Sequence, residues 1–455
     1  MLRRLAARDP ERYPLLLESA AAGPLGRRSL LLAEPRAALW LTADGRLGAE
    51  GLRPRGRGFL EALEHWWLAE RTPGMTGAEV AGGAADSSSL AGGWALFLGY
   101  EVAREAEPTL RLPPPPLPWQ AFALRTQVTL VHELESGYVY ASAEEGAEEA
   151  LAGVVADALA AAAADDPAPD EALEIAAVRE EAPQAYLERV RRAKEHVARG
   201  DIYQANLSRP WDVELGTAGP AAAGTAAVLY RRLCAANPAP FAALAQWRGM
   251  AILSSSPERL LRVAGRRVDT RPIAGTRPRS GRAALELREK AALAAHPKER
   301  AEHIMLIDLE RNDLGRVCEA GSVRVDELMT IESYTHVHHI VSNVSGVLRA
   351  EVTPIGALRA VFPGGTITGC PKFRCMQLIA ELEGEGRGAY TGSLGYLTPT
   401  GQLDLNILIR TMTLAGKRLT LRAGAGIVAD SDPQRELEET RAKARGLLVA
   451  LGGTP

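Results

Sequence analysis

Two pairs of glutamates carry a spacing from which a metal or proton-transfer site can be built. Glu299 and Glu302 lie in HPKERAEHIMLIDLERNDLGR, Glu436 and Glu439 in DPQRELEETRAKARGLLVAL, and the members of each pair are three residues apart. On a helix that spacing puts both side chains on one face. Lys443 follows four residues after Glu439. Magnesium takes one or two protein carboxylates and keeps waters for much of its shell, so one carboxylate from each segment plus a substrate carboxylate would suit it. The competing reading is a solvated helix ion pair worth roughly a few tenths of a kcal/mol.

Other candidates are distributed along the chain. In FPGGTITGCPKFRCMQLIAELEGEG, Gly364, Gly365 and Gly369 precede a helix expected from Pro371 to about Gly384. Free amides and the helix dipole there favour an anion. Cys370 stands where a phosphate loop requires lysine, which points to a carboxylate; a tight turn before a packed helix is the alternative. Arg410 interrupts the apolar run LDLNILIRTMTL, and a guanidinium between Leu408 and Met412 needs an anion or an internal ion pair. HVHHIVS reads as a strand on which His336 and His338 share one face and His339 takes the other. No GxSxG elbow is present to support a serine hydrolase.

These residues need elements to hold them. YLERVRRAKEHVARG predicts a helix with Tyr186, Val190, Ala193 and Val197 on one face and a stop at Gly200; GDIYQANLS then turns into a strand. LDLNILIRTMTLAGKRLTLRAGAGIV predicts a long buried hairpin turning at Ala-Gly-Lys. Asp432 caps the last helix and Pro433 occupies its first turn. QVTLVHE and GYVYASA read as strands of an N-terminal region, and LRLPPPPLPW as an extended surface loop. The stretch AAAADDPAPDEALE predicts a boundary between an N-terminal region, 1–165, and a catalytic region, 166–455.

The 455 residues suffice for a large core, and 53 Lys plus Arg against 56 Asp plus Glu leave a net charge of −3. Neither a nucleic-acid footprint nor a membrane span is expected from that balance or from the hydropathy pattern. Four cysteines, Cys234, Cys318, Cys370 and Cys375, without a CxxC motif suit reduced thiols in a cytoplasmic protein with no structural zinc.

Taken in order, GDIYQANLS, SSSPERLL, RPIAGTRPR, AEHIMLIDLERNDLGRV, HVHHIVS, FPGGTITGCPKFR, AYTGSLGY, ILIRT and GAGIVADSDPQRELEETRAKA resemble the chorismate-utilising enzymes. That group includes anthranilate synthase component I, aminodeoxychorismate synthase component I, isochorismate synthase and salicylate synthase. LLLESAAAGPLGRRSLLLAEP and GGWALFLGYEV resemble the N-terminal region of its ammonia-using members. The resemblance implies an α+β fold of stacked antiparallel sheets flanked by helices.

It also implies roles. Glu302 and Glu439, with Glu299 and Glu436 beside them, correspond to ligands of Mg²⁺. His339, Thr366, Tyr390, Arg410, Gly424, Gly426 and Lys443 correspond to the substrate pocket, as do Gly275 and Thr276 in the arginine-rich RPIAGTRPR. Glu258 corresponds to the acid that protonates the departing 4-hydroxyl. Relatives that add water carry a lysine where Gln204 stands; glutamine cannot deprotonate water, so ammonia is the implied nucleophile, supplied by a separate glutamine amidotransferase subunit. Glu18, Ser19, Pro240 and Phe241 resemble a tryptophan pocket, with an ordinary edge strand and turn as the alternative.

Ala274 divides the two ammonia-using branches. Well-known aminodeoxychorismate synthases carry at this place a lysine proposed to attack C2, whereas anthranilate synthase carries alanine, and an alanine cannot be a nucleophile. The surrounding motifs, GGTITGCPK, HVHHIVSN and DLNILIRT among them, favour aminodeoxychorismate synthase component I, which makes 4-amino-4-deoxychorismate for 4-aminobenzoate and folate. The sequence expectation follows those motifs, with anthranilate synthase component I as the alternative.

Overall fold

Alternation along single strands builds the molecule. In Phe241–Trp247, Ala242 and Leu244 face one apolar cluster while Ala243 and Ala245 face another. Met250–Ser256 does the same, with Ala251 and Leu253 on one side and Met250 and Ile252 on the other. A strand with both faces covered must lie between layers. The shared inner cluster draws mostly on strand residues, including Leu30, Phe97, Phe122, Ile252 and Leu394. It is the filling between sheet halves stacked face to face.

Helices close the outer faces. Phe59–Glu70, Pro297–Gly315 and Pro354–Val361 cover one with Phe59, Trp67, Ile307 and Leu358. Leu2–Arg8, Glu148–Ala163, Ala222–Ala236 and Pro433–Ala450 cover another. The result is the expected α+β arrangement of antiparallel sheet and flanking helices.

The computed structural model describes residues 1–21, 26–72, 90–164, 173–216, 222–279, 283–333 and 337–452. His336 and most of the expected boundary segment fall outside these residues, and only the backbone of Thr276 is described. The strand pairings given by register are antiparallel and cross the chain's two halves: Leu15–Glu18 pairs with Phe241–Trp247, and Gly93–Leu98 with Ser393–Leu397. Among the described residues no helix is long and apolar enough to cross a membrane.

Local signals place most elements as read. Gly200 takes a φ of 78° after the Pro183–Ala198 helix. The carboxylate of Asp432 accepts from the amide of Arg435 at 2.9 Å, capping the last helix. The C-terminal hairpin turns at Gly416 and Lys417, between paired Ala415 and Arg418. Its first strand is not continuous: Leu403–Asn406 and Thr411–Ala415 are separate strands, and the break holds Arg410 at a φ of 53°.

Candidate active site

A bulged strand frames the site. Ile273–Pro278 pairs with Val337–Val347 so that Ala274 faces Ile340 and Thr276 faces His339, with a register shift between them. Gly275 fills the shift at a φ of 63°. A Cβ there would run into Glu299 Oε2 and stand 3.0 Å from Leu293 Cδ1, so glycine lets the helix carrying Glu299 and Glu302 pack against this loop. His339 is buried, and loss of solvation pushes its pKa down to about 4 although a Gly275 backbone hydrogen bond pulls the other way. Its imidazole is therefore neutral near pH 7.

Glu258 follows a strand end tied down by two bonds, its own amide donating to Ser256 Oγ (3.2 Å) and the Ile407 amide to its carbonyl (3.0 Å). Burial raises the carboxyl to about 7, against the lowering effects of the Thr366 hydroxyl, the Ile273 amide, Lys443 and Arg410. Glu258 Oε1 and Thr366 Oγ1 are both buried without a partner in good hydrogen-bond geometry. A carboxyl that holds its proton to about pH 7 beside an unsatisfied hydroxyl is suited to donate to a leaving oxygen.

Arg410 sits close enough to feel Tyr390, Glu439 and Glu258, yet among the described residues no carboxylate forms an ion pair with it. Burial draws its pKa down. A left-handed arginine costs about 1–3 kcal/mol, which the surrounding chain must over-determine; the Arg410 carbonyl is held by the Ser255 amide at 3.1 Å. A half-buried guanidinium without a protein counterion among the described residues is a place for an anionic substrate group.

The opposite wall is built on two glycines of the Arg418–Ile427 strand. A Cβ on Gly424 would stand 2.7 Å from Asn206 Oδ1, the Leu207 carbonyl and the Tyr390 hydroxyl; one on Gly426 would collide with the Gln204 side chain. Gln204 Oε1 and Asn206 Oδ1 are buried without partners. Lys443 Nζ donates to the Gly424 carbonyl (3.0 Å) and pairs with Glu439 Oε1 (2.6 Å). Of the sequence candidates, Glu258, Thr366, Arg410, Lys443, Tyr390, Gln204, Gly424 and Gly426 thus come together from segments more than 200 residues apart.

The glycine loop before Lys372–Glu383 is used differently from an open anion cradle. Gly369, at a φ of 136°, pairs with Ala205 and passes against the Gln204 carbonyl, while Thr368 Oγ1 donates back to the Gly364 and Gly365 carbonyls. What the loop presents to the site is the Thr366 hydroxyl.

For a metal, Glu436 is buried, Glu299 and Glu302 are half-buried, and Glu439 is exposed. Among the described residues no three ligand-type side chains converge on a point. The donors fit an ion that takes a carboxylate or two and completes its shell with water and substrate, which is magnesium's habit.

Glu18, Ser19, Pro240 and Phe241 are brought together, lining a cavity of about 700 Å³ with Arg271, Glu332 and Asn406. Ser19 Oγ donates to the Pro240 carbonyl at 3.0 Å.

Two buried polar groups escaped sequence reasoning. Glu310 and Asp313 face inward from the Pro297–Gly315 helix; Lys372 Nζ takes Asp313 at 2.6 Å, and burial with the neighbouring Asp313 charge raises Glu310 to about 8. Glu383 is held by Arg387 and Arg422, at 2.7 and 3.1 Å. The three-residue spacing in LERND and four-residue spacing in ELEGEGR were visible, but only burial separates such pairs from surface ones.

The model of the chorismate binding enzyme family matches residues 32–449. The chain belongs to that family. Over 378 residues it is 42% identical to anthranilate synthase component 1 of Streptomyces coelicolor, covering 79% of this chain and 73% of that protein. It is 40% identical over 369 residues to the aminodeoxychorismate synthase of Streptomyces griseus, covering 79% of this chain but 50% of the relative. The crystal structure of anthranilate synthase component I from Streptococcus pneumoniae superposes with a TM-score of 0.79 at 29% identity, over 94% of this chain and 93% of that one. This chorismate-binding enzyme therefore shares its α+β fold with a protein of the anthranilate branch.

Proposed function

We propose that the chain is an anthranilate synthase component I, converting chorismate and ammonia to anthranilate. Ala274 carries the reading. Ala274, in register with Ile340, stands where the aminodeoxychorismate route implied by resemblance uses a lysine nucleophile. Among the described residues, Lys443 is paired with Glu439 and Lys372 with Asp313, so neither is a free amine in its place. The motif-level expectation of aminodeoxychorismate synthase gives way, because the 42% relative and the 29% structural neighbour both carry the anthranilate name over larger shares of their length.

In this reading Arg410 and the glycine wall hold the substrate carboxylates. Glu258 gives its proton to the departing 4-hydroxyl, which leaves as water while ammonia adds at C2. Gln204 Oε1, buried and unsatisfied, can accept a hydrogen bond from ammonia but cannot deprotonate water. The neutral imidazole of His339 can accept a proton in the subsequent loss of pyruvate. Glu302 and Glu439, aided by Glu299 and Glu436, would hold Mg²⁺, which supplies a Lewis acid for the ring carboxylate. Ammonia would come from a glutamine amidotransferase subunit, and tryptophan fits the aromatic and charged lining of the 700 Å³ cavity. The test is the product formed from chorismate, Mg²⁺ and an ammonium salt: anthranilate supports the reading, 4-amino-4-deoxychorismate overturns it.

A further inference from the structure

Arg387 has no part in the chemistry above, yet its guanidinium is committed to groups that shape the substrate wall. Nη2 donates to the Asn206 carbonyl and to Glu383 Oε1, both at 2.7 Å, and Nε donates to Glu383 Oε2 at 3.0 Å. Nη1 donates to the Ile367 carbonyl at 3.2 Å and to Thr391 Oγ1 at 3.3 Å. The group is 3% exposed and lies 5.0 Å from the Tyr100 ring centroid and 5.6 Å from that of Tyr390.

Each acceptor adjoins a substrate-facing position. Ile367 follows Thr366, the hydroxyl beside Glu258. Asn206 pairs in register with Gly426. Thr391 follows Tyr390 and holds a left-handed φ of 61°. One planar cation therefore fixes three separate chain segments, and Glu383 keeps it charged and oriented. The backbone at Arg387 is fixed in turn by Glu101 Oε1, which accepts the Arg387 amide at 2.7 Å and the Gly388 amide at 3.2 Å. Tyr100 and Glu101 come from the N-terminal half, so that half reaches the substrate wall through this arginine.

We propose that Arg387 is a positioning residue that sets the Thr366, Tyr390 and Asn206 segments for chorismate binding, with Tyr100 as the platform beneath it. The proposal rests on Thr366 and Tyr390 being substrate contacts. A lysine could keep the charge opposite Glu383 but, as a point donor, cannot span the three segments as a planar fork does.

The test compares Arg387→Lys, Tyr100→Leu and Tyr100→Phe with the parent enzyme, following chorismate disappearance so that the result is readable whichever product forms. Arg387→Lys should raise KM for chorismate by about tenfold or more, because displaced binding groups cost affinity and alignment. Any loss in kcat should be smaller than the rise in KM, and the alkaline limb should remain, since the Glu258 carboxyl is still present. Tyr100→Leu should raise KM less, and Tyr100→Phe should leave it unchanged. If Arg387→Lys does not fold, a rise in KM for Tyr100→Leu supports the proposal and an unchanged KM overturns it. Melting temperatures that fall in Arg387→Lys and Tyr100→Leu with KM unchanged would mean a purely structural role. The product assay fails or succeeds separately, so a wrong reaction and a wrong role for Arg387 are distinguishable.

Discussion

Lys443 Nζ lies 2.6 Å from Glu439 Oε1, four residues away on one helix face, while donating to the Gly424 carbonyl at 3.0 Å. One amine thus joins a candidate magnesium ligand to the glycine wall of the site. Glu302 stands on a different helix, packed against the bulge at Gly275. If these two carboxylates share the ion, Glu302→Gln should lower magnesium-dependent kcat/KM by about 100-fold or more, the scale of a lost Lewis-acid contribution. Manganese binding in the presence of substrate, followed by electron paramagnetic resonance, should weaken in parallel. Unchanged metal dependence would remove Glu302 from the site.

Glu258 sets a pH signature. Its carboxyl holds a proton to about pH 7 because burial disfavours the charged form. An acid is active when protonated, so its function is complete below that pH and declines as pH rises through it. At saturating free ammonia, kcat/KM for chorismate should fall about tenfold per pH unit on the alkaline side. Glu258→Gln should cost about 10²–10⁴ in kcat and abolish that limb. A full alkaline limb in the variant would assign the proton elsewhere.

Much of this site was legible along the chain. Both helix-borne glutamate pairs followed from a three-residue spacing, and Asp432 and Gly416 announced the helix end and turn they occupy. Ordered motifs named Glu258, Thr366, Tyr390 and Arg410 in advance. Other features depend on tertiary packing, which no local pattern records. The bulge that separates Ala274 from Thr276 turns at a left-handed Gly275 against which a helix packs, and the left-handed backbone of Arg410 breaks what reads as one continuous strand. Glu383 and Arg387 have the spacing of a surface ion pair, and burial beside Tyr100 turns them into a strut. The pairing of N-terminal with C-terminal strands is equally non-local.

Glu310 should leave its mark on stability. Its folded pKa is raised from 4.5 to about 8 by burial and by Asp313. The native state then keeps a proton that the unfolded chain releases, so this residue's contribution falls as pH rises from about 4.5 to about 8. Glu310→Gln removes that linkage. Thermal melts at pH 6 and pH 8.5 should show the parent losing a few degrees more than the variant on going to the higher pH. Parallel losses would mean that Glu310 is ionised in both states.

The central claim is that a chain with Ala274 aminates chorismate at C2. Purified protein with chorismate, Mg²⁺ and an ammonium salt at mildly alkaline pH, read by fluorescence, tests it most directly. Anthranilate should accumulate with no second enzyme present. If no fluorescence develops, and 4-aminobenzoate is released only on adding aminodeoxychorismate lyase, amination occurs at C4 without a lysine and the claim is contradicted.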